Sequence, residues 1–251
     1  MIRWTGNPAI HSLFEILGYV AAVIVYIAVR RRRGDTVADE TRAAVFAGAA
    51  AGALIGSRLL VWPTGKTIVG GLAGGLIGVE LAKKFLGVKR STGDLLVLPL
   101  IVATSIGRIG CFLTGAIDHT EGNPTSLPWG IAIGDPVKRH PVALYEIAFL
   151  LLLIPFTEWI RRRVGCGSQP HQGHSGDAFA AFLASYFAFR LAVDFLKPDP
   201  PPLFLHLTAI QWACVAGLIY YALVFSNDER SAAVPLLRRR RVDLPGVLPQ
   251  D

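Results

Sequence analysis

Three arginines stand inside otherwise apolar runs of this chain: Arg58, Arg108 and Arg190. Two acids, Glu146 and Asp194, stand in such runs as well. A charge held in hydrocarbon costs several kcal/mol unless it is paired or wet, so charges in such runs mark sites by default. A guanidinium stays ionised in a low dielectric and meets a phosphate through two parallel N–H donors. Local spacing adds to this. Tyr186, Arg190 and Asp194 follow one another at intervals of four, which places them on one helical face. Asp194 then either orients Arg190 or sits opposite a neighbour. Gly107 and Gly110 flank Arg108, and the lack of side chains there permits a ligand or another backbone to come close to the guanidinium.

The elements that carry these residues are spanning helices. The chain is 52% hydrophobic and only 17% charged over 251 residues, with mean hydropathy +0.46. A soluble domain carries about a quarter charged residues, and one soluble core could not shield this many long apolar runs. Crossing a hydrocarbon core takes about 20 helical residues. Spans are predicted at 13–29, 43–62, 67–86, 95–113, 142–160, 178–197 and 207–226, which makes an all-α polytopic membrane protein of about seven helices. Alanine and glycine are dense in the second and third, and small residues at that spacing let helices approach closely. Residues 1–226 read as one transmembrane domain. Within it, 114–141 form a long outer loop with Asp118, His119, Glu121 and Trp129. Residues 227–251 form a basic tail that either lies on the inner leaflet or is disordered. Met1 to Ser12, before the first run, has one arginine and no basic region with a small-residue cleavage site, so the run reads as a retained span.

The loops alternate in charge. Arg30 to Arg33 and Arg42, then Lys83, Lys84, Lys89 and Arg90, then Arg161 to Arg163, and finally Arg230 and Arg238 to Arg241 fall on one side. They make up 17 of the 25 lysines and arginines. Basic residues stay on the cytoplasmic side during insertion, so the N-terminus faces outward and the C-terminus inward. The net charge of +7 reports topology and inner-leaflet contact. Nucleic-acid binding is a poor reading, because the basic residues are spread over short loops without interleaved aromatics. The same orientation brings Arg58, Arg108, Arg190, Glu146 and Asp194 to one depth near the outer face. Two readings follow: ion pairs between helices with ends snorkelling to the interface, or an anion site open to the outer leaflet. A phospholipid headgroup is the natural anion there.

At these residues the sequence resembles the prolipoprotein diacylglyceryl transferase family. GRIGCFLTG (107–115) resembles a signature that usually reads GRxGNFxNGE. RHPVALYE (139–146) resembles RHPSQLYE, and YFAFRLAVDFLKPD (186–199) resembles YxxFRxxxEFxR. GGLIGVELAKK (74–84) resembles the end of an HGG-L-x-G stretch, and Gln211 matches a Gly-Gln motif whose glycine is Ile210 here. The family's histidine before the paired glycines is absent, with Ala73 in its place. Cys111, Thr114 and Ala116 stand where the signature has two asparagines and a glutamate.

The resemblance implies transfer of a diacylglyceryl group from phosphatidylglycerol to the lipobox cysteine in a prolipoprotein signal region, or a related transfer to another acceptor, in the bacterial inner (plasma) membrane. By the same resemblance Arg108 and Arg190 hold the phosphate, with Tyr186 beside Arg190, while Arg139, His140, Tyr145 and Glu146 line or brace the outer mouth. Arg58 is a further candidate for substrate binding. His119 is a candidate general base, since an imidazole exchanges protons near neutral pH. Cys111 is a packing residue or a thiol beside Arg108. No metal or organic cofactor is expected, since the HQGH run (171–174) lacks further ligands, and three cysteines are too few for a disulfide framework. The alternative is a non-catalytic lipid-binding or anion-transporting membrane protein on the same scaffold.

Overall fold

The structure is a computed structural model that describes residues 7–35, 37–61, 65–88, 93–115, 121–133, 135–165, 176–198 and 203–239. Seven helices occur among them: α1 (Pro8–Arg33), α2 (Asp39–Leu59), α3 (Ile68–Leu86), α4 (Val97–Thr114), α5 (Val142–Gly165), α6 (Asp177–Asp194) and α7 (Ala209–Arg239). Each overlaps one predicted span. Three of them contain stretches long and apolar enough to cross a membrane: Ala9–Arg33, Val97–Thr114 and Val142–Arg163. The departure from an all-α chain is small. Within the outer loop β1 (Ile131–Ala132) pairs antiparallel with β2 (Lys138–Arg139).

Local chemistry sets the ends. Asn7 caps α1, its side-chain oxygen accepting from the Ala9 N–H at 2.9 Å, and Pro8 occupies the first turn, where no N–H is needed. Arg30 to Arg33 fill the last turn of α1, where positive charge complements the helix dipole. The chain leaves α3 through Gly87 at φ 67°, the left-handed conformation that glycine adopts without strain. The α6 N-terminus is capped from a distance: the buried Asp94 accepts from the Gly176 and Phe179 N–H groups at 3.1 and 3.0 Å. α7 continues to Arg239, so the first half of the tail predicted as surface-lying or disordered is helical. Residues 240–251 lie outside the described residues.

α6 is the central helix. Phe182, Leu183, Tyr186 and Phe187 are all but fully buried against Leu150 of α5, Ile101 of α4 and Cys214 of α7. Neighbours follow one another around it: α1 packs on α4, α4 on α5, α5 on α6, α6 on α7, α7 on α3 and α3 on α2. α2 returns to α1 through the Tyr26–Phe46 ring contact and the Arg30–Asp39 ion pair. The outward faces are apolar. Ile24, Leu54, Phe85, Leu152 and Leu223 are each more than half exposed, a continuous greasy surface that water does not tolerate at this extent.

The α2–α3 contact is made by glycine. Gly48, Gly52 and Gly56 face Gly78, Gly74 and Gly70, and a Cβ at Gly52 would lie 2.1 Å from the Gly74 carbonyl oxygen. Backbone therefore meets backbone, as the small-residue spacing led one to expect. Such close contact brings many backbone atoms within van der Waals reach, and their summed attraction holds the two helices together.

Candidate active site

Glu146, near the start of α5, is fully buried and lies between two guanidiniums. Its Oε2 is 2.8 Å from Arg108 Nε of α4 and 3.3 Å from Arg190 Nη1 of α6. Its Oε1 accepts the Tyr186 hydroxyl at 2.6 Å. Arg190 Nη2 lies 3.5 Å from Asp194, four residues on, and Asp194 accepts the Thr208 hydroxyl at 3.0 Å. Thr208 and Gln211 then bond each other at the start of α7, through Thr208 N–H to Oε1 at 2.8 Å and Gln211 N–H to the hydroxyl at 3.1 Å. On the other flank Arg108 Nη1 is 3.7 Å from Cys111 Sγ, which is 3.7 Å from His11 Nδ1 of α1. One polar line thus crosses α1, α4, α5, α6 and α7.

The line is not saturated. The Nε–H groups of Arg108 and Arg190 are both buried and neither makes a hydrogen bond. Arg108 Nε is close enough to Glu146 for an ion pair, but its hydrogen does not point at the carboxylate oxygen. A buried donor without an acceptor costs about 1–3 kcal/mol. Lys197, three residues beyond α6, is near enough to interact with Arg190 and Arg108. Two guanidiniums and this ammonium therefore face two carboxylates.

The other expected residues divide. Tyr186 and Asp194 join the cluster, the first through Glu146 and the second through Arg190. Gly107 borders open space, whereas the notch at Gly110 is filled by Phe14 of α1, whose Cβ would sit 2.6 Å from an added methyl. His140 and Tyr145 form a separate group at the mouth: His140 Nδ1 is 3.3 Å from the Tyr145 hydroxyl, which accepts from Trp129 Nε1 at 2.8 Å. Arg139 pairs with Asp135 in the outer loop and holds its carboxyl below the usual carboxylate range. Arg58 is exposed in the last turn of α2, and its guanidinium makes no ion pair among the described residues. His119 and Asp118 lie outside the described residues.

Sequence reasoning passed over His11 and Thr208, and named Glu121 only as a residue of the outer loop. His11 lies far from Cys111 in the chain, and no local pattern announces that α1 packs on α4. Glu121 has a buried carboxylate oxygen without a hydrogen bond and borders a cavity of about 10 Å³, shared with Cys111 and His140, room for about one water. Nearby, Asn123 ties the loop to the end of α6 by donating to the Leu196 and Lys197 carbonyls at 2.7 and 3.1 Å.

The fold and this cluster define a class: helical membrane proteins that bury two arginines against a shared glutamate, near the ends of three central helices. The particular family is also plain. The profile of the prolipoprotein diacylglyceryl transferase family matches residues 6–226, and the chain belongs to that family, a family of transferase enzymes. It is similar to the phosphatidylglycerol–prolipoprotein diacylglyceryl transferase of Geobacter sulfurreducens, 32% identical over 224 residues and covering 78% of each chain. The enzyme of that name from Clostridium tetani is 31% identical over 173 residues, 66% of this chain and 65% of the relative. That from Methylococcus capsulatus is 36% identical over 146 residues, 55% of this chain and 51% of the relative. The aligned parts thus run from about half to about four-fifths of these relatives' lengths. No solved structure matches.

Proposed function

We propose that this protein moves the diacylglyceryl group of phosphatidylglycerol to the cysteine of a prolipoprotein lipobox at the outer face of the plasma membrane. All seven helices span the bilayer, with the N-terminus outside, and residues 1–226 form the catalytic domain. The thiol sulfur bonds to the glyceryl carbon, the C–O bond to phosphate breaks, and glycerol phosphate leaves with the electron pair. The observation that carries this reading is the pair of unsatisfied Nε–H donors on Arg108 and Arg190. Donors fixed in a low dielectric before the reaction stabilise charge as it develops on the leaving phosphate.

Each residue has a task. Arg108 and Arg190 hold the phosphate, and Lys197 adds positive potential at the mouth. Glu146 fixes both guanidiniums, and Tyr186 fixes Glu146. Asp194, tied to Thr208, sets the rotamer of Arg190. Gly107 leaves room for the headgroup, and Gly110 admits α1 close to Arg108. Arg139, His140 and Tyr145 shape the loop over which the signal region enters, and Arg58 meets headgroups at the surface. The thiol proton goes to an imidazole. His11 takes this task because it stands beside Cys111 and Arg108. His119, expected from the sequence for the same task, is tested with it.

The test uses purified full-length protein, labelled phosphatidylglycerol and a lipobox peptide. Thioether product and released glycerol phosphate are expected, with R108Q and R190Q each lowering kcat/KM by about 10²–10³-fold, the usual cost of a lost transition-state donor. Headgroup binding without either product would instead mark a lipid-binding protein on the same scaffold.

A further inference from the structure

The end of the bundle opposite Arg108 and Arg190 carries a second charged site that the proposed reaction does not use. The last turns of α1 and α5 and the N-terminus of α6 converge there around a cavity of about 220 Å³. Arg33, Arg161 and Arg162 line it together with Glu158 and Asp94. Glu158 is shared by all three guanidiniums: Arg33 Nη2 at 3.1 Å, Arg161 Nε at 2.8 Å and Arg162 Nε at 3.0 Å. One carboxylate cannot neutralise three cations. Asp94 is already committed to the Gly176 and Phe179 N–H groups of α6. Three cations against two anions leave the lining with one surplus positive charge.

The rest of the lining points to the kind of anion. The wall toward the bundle is apolar, formed by Val97, Leu98, Ile101 and Ile154. Arg33 and Arg161 are a quarter and a third exposed, so N–H groups remain for an incoming acceptor. Trp159, on the same turns of α5, is half exposed, and the Arg163 guanidinium lies over its ring at 4.1 Å. Exposed tryptophan beside arginine marks headgroup depth. A cationic rim over an apolar wall, at that depth, matches a phosphate ester attached to hydrocarbon. The volume falls below the roughly 300–1,000 Å³ of pockets for whole drug-sized ligands. It suits a headgroup whose chains stay in the bilayer.

We propose that this cavity binds the phosphate of an anionic phospholipid from the leaflet opposite the one that supplies the substrate. The proposal shares with the proposed function only the reading of the helices as spans. It does not depend on the reaction.

Native mass spectrometry of the full-length protein, with phosphatidylglycerol added in steps, tests it. Two bound lipids are expected. R162Q, a change at a three-quarters exposed residue that folding tolerates, and R161Q each weaken one of them about tenfold, the loss of about one charged phosphate contact. R108Q weakens the other and leaves this one intact. E158Q tightens binding here by raising the surplus charge. If the cluster only locks α1 to α5, E158Q and R161Q lower thermal stability alike and leave both lipids bound, which overturns the proposal. Glycerol phosphate without acyl chains should displace the lipid only at far higher concentration, and displacement at equal concentration overturns the lipid assignment. Loss of the Arg108-dependent lipid alone counts against the outer site, not this one.

Discussion

Glu146 Oε2 lies 2.8 Å from Arg108 Nε, yet the Nε–H does not point at it. The glutamate therefore holds the arginine in place by charge and leaves its donor aimed elsewhere. In the proposed reaction that separation of holding from donating leaves a fixed donor for the leaving phosphate.

Replacing Glu146 by glutamine should cost both stability and activity. Two buried guanidiniums would lose their shared anion, and breaking such a pair costs about 3–5 kcal/mol. Thermal unfolding in detergent, with transfer assayed at a temperature where the variant stays folded, separates the two losses. An unfolding midpoint equal to wild type would show that Glu146 does not carry the charge of the cluster.

His11 is expected to act on the proton. H11Q should lower the transfer rate by about 10²–10⁴-fold, the range of a general base, and flatten the pH–rate profile between pH 5 and 8. C111A should change the rate less than about threefold, because in the proposed reaction the lipobox cysteine, not Cys111, is the acceptor. A flat profile that persists only in H119Q would move the task to the outer loop.

The helix positions were legible in the sequence, since each apolar run became a helix. So was the shared face of Tyr186, Arg190 and Asp194, because the four-residue spacing is a property of a single helix. What a single helix cannot reveal is which neighbour it faces. Arg58, expected at the depth of the cluster, sits exposed on α2 and makes no ion pair among the described residues. Arg139 is adjacent to His140 in sequence yet turns to Asp135 in the outer loop. Phe14 in the notch at Gly110 and the reach of Arg33 from α1 to Glu158 on α5 cross between helices, which no local pattern encodes, whereas Arg161 and Arg162 meet Glu158 at the three- and four-residue spacing of one helix.

The glycine contact between α2 and α3 gives a sharp comparison. G52A would place a methyl 2.1 Å from a carbonyl oxygen, whereas G75A, on the same helix pair, would meet its nearest atom at an ordinary 3.5 Å. G52A should cost about 1–3 kcal/mol, the penalty of overpacking, and G75A should be neutral within about 0.5 kcal/mol. Unfolding midpoints of the two variants in the same detergent check this. Equal midpoints would show that the helices do not touch by their backbones.

Acid should loosen the turn between α1 and α2. Burial alone would raise the Asp35 carboxyl pKa, but the Arg42 hydrogen bonds, with Nε at 2.9 Å from Oδ2, outweigh it and hold the group below its ordinary value. A depressed carboxylate stabilises the fold above its unfolded pKa and loses that contribution as pH falls through the folded one. Stability should therefore be flat from pH 8 to 5 and fall below about pH 4, with D35N showing a smaller fall. An identical acid response in D35N would assign the effect to other carboxylates.

The glycine-lined contact has a mechanical consequence. Helices joined through side chains can slide, since rotamers adjust. Helices joined backbone to backbone have nothing that yields, so α2 and α3 move together as one stave. The stave meets the rest of the bundle along two seams, α3 against α7 and the Tyr26–Phe46 contact of α1 with α2. In the proposed reaction, a two-tailed lipid that enters through either of these seams would displace the α2–α3 pair as one piece, with the hinge outside it.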